Sequence, residues 1–392
     1  MAKIKILNDP IYGLISFPFE IIYDLIDHPY FQRLRRICQV GLTSYVYPGA
    51  THTRFHHAIG ATHLADRLIQ TLRKKGVEIS DEEHEACMIA TLLHDIGHGP
   101  FSHALEFQLI EQHHEDLTKE IMRRLDDLYA GRLGLARAIF DNRYEKQFLI
   151  DLISSQIDVD RMDYLNRDSY YTGVAEGVIG YDRIIAMMNV QDGRLVIEKK
   201  GLHSVEKFLI SRYLMYQQVY LHPASISAEQ MLKSFIAELQ LNPPSDTIQG
   251  PMERLLSRTS EDPIGDFLQV DDYDIYQLLK SSQRNYAPII RLLASGLMNR
   301  RLFKTIIQNN PWTPQEKDDL IVKCCNLLNL PKSKCGNIVI FGCEENLLYR
   351  DEDEIRFSLG EETPLLTLSQ LSKLQYQLEN PVLHFVTYPK GM

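Results

Sequence analysis

The sequence predicts a mainly α-helical protein with a small α+β part at its C-terminal end. Two observations predict this. Over the first 240 residues, apolar side chains recur at helical spacing, in stretches punctuated by Pro29, Gly76 and Ser80. After residue 240 the composition shifts, and short apolar runs such as Val382–Thr387 enter between helical stretches. We therefore expect one helical domain over residues 1–240 and a helical and small β accessory region over residues 241–392. The loop Pro243-Pro244-Ser245-Asp246 should mark the boundary.

In chain order, Asn8-Asp9-Pro10 reads as a turn. Phe19–Ile37 carries Ile21, Ile22, Leu25, Ile26, Leu34 and Ile37 at helical spacing, and Pro29 splits it in two. Gly41–Gly49 is irregular. A helix runs from about His57 to Lys75. Ser80 followed by Asp81, Glu82 and Glu83 is an N-cap with acids in the first turn, and its helix ends at His94-Asp95. Further helices are expected from about His103 (with Leu105, Phe107 and Leu109), from about His114, over Phe148–Ser155, over Asp160–Asn166 and over most of His203–Gln240. Val190–Glu198 reads as a hairpin with a glycine-containing turn. Later helices are expected at Pro251–Ser257, Ile264–Phe267, Asp274–Ser281, Tyr286–Ser295 and Leu366–Gln377, and strands at Ile338–Phe341, Glu354–Ser358 and Val382–Thr387. No chemical motif is visible after residue 240. That part reads as packing, oligomer contact or pocket closure.

The formal net charge is −10, which argues against a general nucleic-acid-binding surface. A phosphate pocket needs only a few local cations, and Arg54, Arg161 and Arg212 could supply them. The six cysteines contain no Cys-x-x-Cys pair, so zinc-ribbon and redox-motif readings fail. No apolar run approaches bilayer length and the N-terminus lacks a signal-peptide core, so we expect no membrane segment and a cytoplasmic location.

The chemistry concentrates at Ala90–His103, where an apolar helix runs into His94-Asp95 and breaks at glycines and Pro100. Imidazole and carboxylate side by side are metal-ligand chemistry. A lone His-Asp pair would be read more simply as a helix end with a histidine near the last carbonyls. Here, however, ten of the fourteen histidines lie between His52 and His114. Arg54-Phe55-His56-His57 stands upstream. His113-His114-Glu115-Asp116 and Ile157-Asp158-Val159-Asp160-Arg161-Met162-Asp163-Tyr164 stand downstream. A histidine, a His-Asp pair and a later aspartate, each at a helix end, can converge on one ion. Neighbouring helical residues point about 100° apart, and the break after Asp95 makes room for both.

This ordered set, with Asn8–Gly13, Phe31–Arg35 and Tyr47–Ala50, resembles the HD-domain phosphohydrolase superfamily. Within it, the chain is similar to the deoxynucleoside-triphosphate triphosphohydrolases and their bacterial relatives. The resemblance covers roughly residues 1 to 225 and implies an HD-domain helical core. The chain begins directly at the Asn8-Asp9-Pro10 segment, so the sterile-alpha-motif domain of the animal enzyme is not expected.

The resemblance implies His57, His94, Asp95 and Asp160 as ligands of one divalent transition metal, with Mg as a companion of the substrate phosphates. Mixed N and O donors suit Zn, Mn, Fe, Co or Ni without choosing among them. Motif position favours His57 over His56, and Asp160 over Asp158. It also implies phosphate-contacting or catalytic roles for His98, His103 and His114. We expect His103 to protonate the leaving alkoxide, oriented by Glu106 or His114. His113 and Glu115 are expected as a solvated helix start.

Gln39, Arg54, Arg161, Tyr164, Asp168, Arg212 and Tyr220 fall where the family holds triphosphate and sugar, whereas Arg33, Arg35 and Arg36 are expected in surface ion pairs. One departure stands out: the family's Tyr-Gln pair beside the sugar reads Tyr220-Leu221 here. Some members are activated by nucleotides bound between subunits through residues matching Lys5, Asp27, Gln32 and Arg35. All four are present, although Gln32–Arg35 also reads as the polar face of a helix. The implied activity is release of triphosphate from dNTPs by water attack at the α-phosphorus, in a homo-oligomer (dimer or tetramer). The alternatives are a phosphomonoesterase or phosphodiesterase acting on another nucleotide, and a nucleotide-binding regulatory protein with little turnover.

Overall fold

In the computed structural model, which describes residues 5–242, 249–284, 286–345, 355–360, 363–373 and 382–391, helices of varied length surround a central packed pair. The chain opens with a hairpin, β1 (Leu7–Asp9) and β2 (Gly13–Ile15). Its turn is held by Asp9, whose Oδ1 accepts the Ile11 and Tyr12 N–H groups. Pro29 divides the next stretch into α1 (Glu20–Asp27) and α2 (Pro29–Gln32), and a 3-10 turn (Arg33–Arg36) follows.

The centre is α3 (Arg54–Lys74) packed on α4 (Asp81–Leu93). α3 begins three residues earlier than its apolar pattern predicts, because Thr53 and His56 form a capping box. α4 starts at the expected cap, with Ser80 and Glu83 bonded reciprocally at 3.2 and 2.8 Å. Around this pair lie α5 (His114–Leu128), α6 (Gly134–Phe140), α7 (Gln147–Ile153), α8 (Val159–Thr172) and α9 (Tyr181–Met187). Gly60 lets α8 approach α3: a Cβ there would stand 2.1 Å from Asp163 Oδ1 and 2.2 Å from Arg167 Nη2.

β3 (Met188–Gln191) and β4 (Arg194–Glu198) form the expected hairpin, turning on Asp192-Gly193 with φ of 53° and 71°. α10 (Leu202–Met215) continues through a π-helical turn (Tyr216–Tyr220) towards α11 (Pro223–Leu241). Then come α12 (Pro251–Ser257), α13 (Pro263–Phe267), α14 (Asp272–Ser281), α15 (Pro288–Met298), β5 (Lys304–Gln308) and α16 (Pro314–Leu328). β6 (Ile340–Glu345), β7 (Arg356–Ser358), β8 (Leu366–Thr367), α17 (Leu368–Leu371) and β9 (Val382–Tyr388) complete the chain.

Two sheets tie distant segments together. β4 pairs in parallel with β7, Ile197 opposite Phe357, in the order β3-β4-β7-β8. β9 lies between β5 and β6, so that Val386 faces both Ile306 and Phe341. One hydrophobic core runs from Ile15 to Tyr388, so residues on both sides of position 240 share it. Among the described residues, no helix is long and apolar enough to cross a membrane.

Two expected helices are corrected. His103 opens no α-helix. Phe101, Ser102 and Phe107 are left-handed (φ 55°, 58° and 62°), and only a 3-10 turn, Ser102–Leu105, forms between them. Leu366 and Thr367, expected in a helix, pair as β8 with Phe357 and Arg356, which leaves Leu368–Leu371 helical. Residues 374–377 of that helix, the loop Pro243–Asp246 and Glu354 lie outside the described residues. β1, β2, β5, α6, α9 and α16 were not anticipated. For α16, the Thr313-x-x-Glu316 capping box was a readable signal.

Candidate metal centre

The site grows out of the ends of α3, α4 and α8. His57 lies in the first turn of α3 and is fully buried. Its Nδ1 stands 2.7 Å from Asp163 Oδ2, and Arg167 holds both oxygens of that carboxylate at 2.9 Å. Asp9 closes the chain at 2.8 Å from Arg167 Nη1. Only a carboxylate faces Nδ1, so we assign the Nδ1–H tautomer, which leaves the Nε2 lone pair facing inward. At the end of α4, His94 Nδ1 donates to the Thr91 carbonyl at 2.6 Å and turns its own Nε2 the same way.

The four expected ligands come together here. His57 Nε2 is 3.0 Å from Asp160 Oδ1, 3.2 Å from His94 Nε2 and 3.4 Å from Asp95 Oδ2. His94 Nε2 is 3.4 Å from Asp95 Oδ1 and 3.6 Å from Asp160 Oδ1. Bonds of about 2.0–2.2 Å to a shared ion place neighbouring donor atoms roughly 3.0–3.5 Å apart, so His57, His94 and Asp160 fit one divalent cation, with Asp95 beside them. Asp158, the rival of Asp160, instead caps α8 through the Arg161 N–H at 2.7 Å.

Electrostatics bind the group tightly. Burial disfavours charge on His57, but hydrogen bonds to Asp160 and Asp163 outweigh it and raise the pKa to about 10. Burial likewise opposes ionisation of Asp160, yet His57 and His94 hold its carboxyl well below the usual range. For Asp95 the burial penalty is overcome first by Arg54, whose Nη1 lies 2.5 Å from Oδ2. A proton on His57 therefore competes with any cation for this site.

A second cluster adjoins the first. Glu106 Oε1 accepts from His114 Nδ1 at 2.6 Å and from its backbone N–H at 3.1 Å, while Oε2 lies 3.1 Å from His103 Nδ1. His98 stacks on His114 with ring centroids 4.0 Å apart, and its Nε2 is 3.4 Å from Asp95 Oδ1. Burial, reinforced by Arg54, pushes the His98 pKa well down, so this imidazole is neutral. His113 caps α5 through the Glu115 N–H, and both residues are partly or fully exposed.

The residues expected to hold sugar and phosphate are mostly bonded to protein partners. Arg54 is buried, fixed by Ser102 Oγ at 2.8 Å as well as by Asp95. Asp168 accepts from Tyr220 OH at 2.5 Å and contacts His52 Nε2 at 2.7 Å. Arg212 is buried with Nη1 3.3 Å from Gln156 Oε1, and Tyr164 stands 6.5 Å from Tyr220, ring to ring. Arg161 is tied to the Ser155 carbonyl at 2.8 Å. Gln39 is buried, and its Oε1 has no hydrogen-bond partner among the described residues.

A cleft of about 670 Å³ reaches His94, Asp95, Asp160 and His114 from another side. Lys119, Asn142, Ser155, Arg194 and Arg356 help to line it, and Gln39, Arg54, Tyr164, Arg212 and Tyr220 do not.

At the N-terminal end, Lys5 pairs with Asp27 at 2.6 Å, and Gln32 bonds to the Ile26 carbonyl and to Arg35 Nε. Arg36 pairs with Asp271, and Arg35 lies over the Phe55 ring at 3.5 Å. Arg33 is a correction. It is fully buried and binds the Val270 and His98 carbonyls at 2.7 and 2.9 Å over the Phe267 ring. Burial lowers its pKa to about 10, which still leaves it charged at neutral pH. The supporting residues His52, Asp163, Arg167 and Asp272 were not singled out from sequence. His52 lay in the histidine-rich stretch, and Asp163 lay four residues before Arg167, a helical ion-pair spacing.

Residues 54–168 match the HD domain and residues 179–316 the HD associated region. A phosphohydrolase from Bacteroides thetaiotaomicron superposes with a TM-score of 0.92 at 38% identity, over 99% of this chain and 100% of that one. The chain belongs to the HD-domain phosphohydrolase family. Among curated relatives of this HD phosphohydrolase is the uncharacterized protein YwfO of Bacillus subtilis, 34% identical over 79% of this chain and 73% of its own. Another is the deoxynucleoside triphosphate triphosphohydrolase SAMHD1 homolog of Dictyostelium discoideum, 29% identical over 90% of this chain and 70% of its own.

Proposed function

We propose that this HD phosphohydrolase cleaves deoxynucleoside triphosphates at the α-phosphorus, releasing deoxynucleoside and intact triphosphate. The observation that carries the reading is the convergence of His57, His94, Asp95 and Asp160 beside the Glu106-ordered histidines. When bound by those four residues, a divalent ion such as Zn, Mn, Fe, Co or Ni polarises a phosphoryl oxygen and brings the pKa of water towards neutrality. Arg54, fixed on Asp95 and Ser102, adds a cation for the phosphoryl oxygens. In its protonated form, which Glu106 at Nδ1 favours against burial, His103 passes a proton from Nε2 to the departing 5′ oxygen. His98 and His114 line the path of the phosphates, and Arg161 and Arg212 meet them further along. Tyr164 and Tyr220 border the sugar and base, Asp168 takes a sugar hydroxyl, and Gln39 Oε1 is an acceptor in want of a donor. The activating-nucleotide residues Lys5, Asp27, Gln32 and Arg35 bond among themselves, so a nucleotide between subunits would displace those bonds.

A second reading is favoured by Leu221 and by the cleft. Leu221 brings no amide to the sugar edge. The cleft gives a differently shaped phosphate ester its own route to His94, Asp95 and Asp160. On that reading the protein is a phosphomonoesterase or phosphodiesterase acting on another nucleotide. Incubating metal-reconstituted protein with all four dNTPs, with and without GTP, and resolving products by ion exchange separates the two. Deoxynucleoside with intact triphosphate supports the first reading. Cleavage of nucleoside monophosphates or cyclic nucleotides, with no cleavage of triphosphates, supports the second.

A further inference from the structure

We propose that Asp272, which lies in the HD associated region, is a positioning residue that holds the turn Phe101-Ser102 and through it sets Arg54 and His103. The inference rests on the reading above for the roles of those two residues.

Phe101 and Ser102 are consecutive non-glycine residues in the left-handed region. Side chains disfavour that conformation, and it persists only where surrounding contacts over-determine it. Asp272, at the start of α14, supplies such contacts. Its Oδ1 accepts the Phe101 N–H at 2.6 Å and its Oδ2 accepts the Cys38 N–H at 2.8 Å. One buried carboxylate thus clamps two segments far apart in the chain. Ser102 continues the connection. Its hydroxyl donates to the Cys38 carbonyl at 2.6 Å and accepts from Arg54 Nε at 2.8 Å, and Arg54 reaches Asp95. His103 follows Ser102 directly in the chain.

The same segment is tied a second time. Arg33 joins the Val270 carbonyl to the His98 carbonyl, so residues 270–272 hold the loop at both His98 and Phe101. The Asp272 carboxylate accepts from these two backbone N–H groups and lies beside the Cys38 thiol. Burying a carboxylate is costly, and an apolar side chain would fill the core without that cost. The geometry that requires an acceptor at this point is the loop. This gives part of the accessory region a place in the site: it fixes where the cation of Arg54 and the imidazole of His103 stand.

The test compares the metal-loaded wild-type protein with Asp272→Ala, Asp272→Asn and the control Asp271→Ala, by amide hydrogen exchange and steady-state dNTP kinetics. Asp271→Ala removes the α14 cap and the Arg36 partner but leaves the clamp in place. In Asp272→Ala we expect the Phe101 and Cys38 amides to exchange at least about tenfold faster, and kcat to fall by about 10–100-fold. Bound metal should stay unchanged. Asp272→Asn, which keeps one acceptor oxygen, should fall between, and it decides the matter if the alanine variant does not fold. Asp271→Ala should keep its kcat. Unchanged exchange in the Asp272 variants overturns the proposal. So does an equal kcat loss in Asp271→Ala. If the wild type turns over no dNTP, the proposed reaction falls, and the exchange arm alone decides the clamp.

Discussion

Replacing Asp163 with Asn should weaken metal binding without touching a ligand. Asp163 orders His57 from behind at 2.7 Å, and Arg167 grips both of its oxygens at 2.9 Å. An amide of the same shape has one acceptor oxygen where three N–H groups need two. If the oxygen stays towards His57, the NH₂ faces Arg167 Nη2. If it flips, the NH₂ faces both His57 and Arg167 Nε. Either way donor meets donor, and the negative charge behind the imidazole is lost. Carboxylates in this position behind a metal-binding histidine are worth about 10–100-fold in metal affinity, or roughly 1.4–2.8 kcal/mol. Asp163→Ala goes further, because among the described residues Arg167 keeps only Asp9 as a carboxylate partner. Breaking a buried pair in this way costs about 3–5 kcal/mol of stability. The assay is calorimetric titration of Mn²⁺ or Co²⁺ into chelator-treated protein, with melting temperatures alongside. Wild-type affinity in Asp163→Asn would refute the argument that His57 binds through an Nε2 oriented by Asp163.

Three further outcomes follow from the same geometry. Asp95→Ala should lose bound metal and hydrolysis while remaining folded, at a stability cost of about 3–5 kcal/mol because Arg54 loses its buried carboxylate; metal analysis, activity and circular dichroism check it. Metal affinity should rise with pH by at least about tenfold per unit below pH 10, because His57 must release a proton held with a pKa of about 10 and His94, whose pKa is also raised, adds to the slope at the lower end; titrations at pH 6, 7 and 8 would show it, and a flat profile would count against His57 as a ligand. Burial, the largest cause, raises the Glu229 pKa from 4.5 to about 7, so the stability its protonated form provides is full below about 4.5 and lost as pH rises through 7. Glu229→Gln should therefore melt a few degrees higher than wild type at pH 8.5 and show little gain at pH 5.

The parts of this molecule that were legible in the sequence are those fixed by local chemistry. His57, His94, Asp95 and Asp160 stand at helix ends, and their resemblance to the HD-domain motifs marked them as candidate ligands before any contact was known. The caps Ser80-Glu83 and the turn Asp192-Gly193 were legible for the same reason. The illegible parts depend on partners far along the chain. β5 is five residues long and becomes a strand only against β9, with Thr305 opposite Thr387. Arg33 looked like the polar face of a helix, because nothing local announces that Val270 and His98 offer it carbonyls. The failed helix at His103 is the clearest case. Phe101 and Ser102 are ordinary residues for a helix start, and it is Asp272, some 170 positions away, that accompanies their left-handed turn.

Hydrolysis in ¹⁸O-labelled water tests the central claim most directly. Metal-reconstituted protein would be given a dNTP and the products read by mass spectrometry. Attack at the α-phosphorus predicts one ¹⁸O in the released triphosphate and none in the deoxynucleoside. Label in the deoxynucleoside, or in orthophosphate or diphosphate released stepwise, would contradict it.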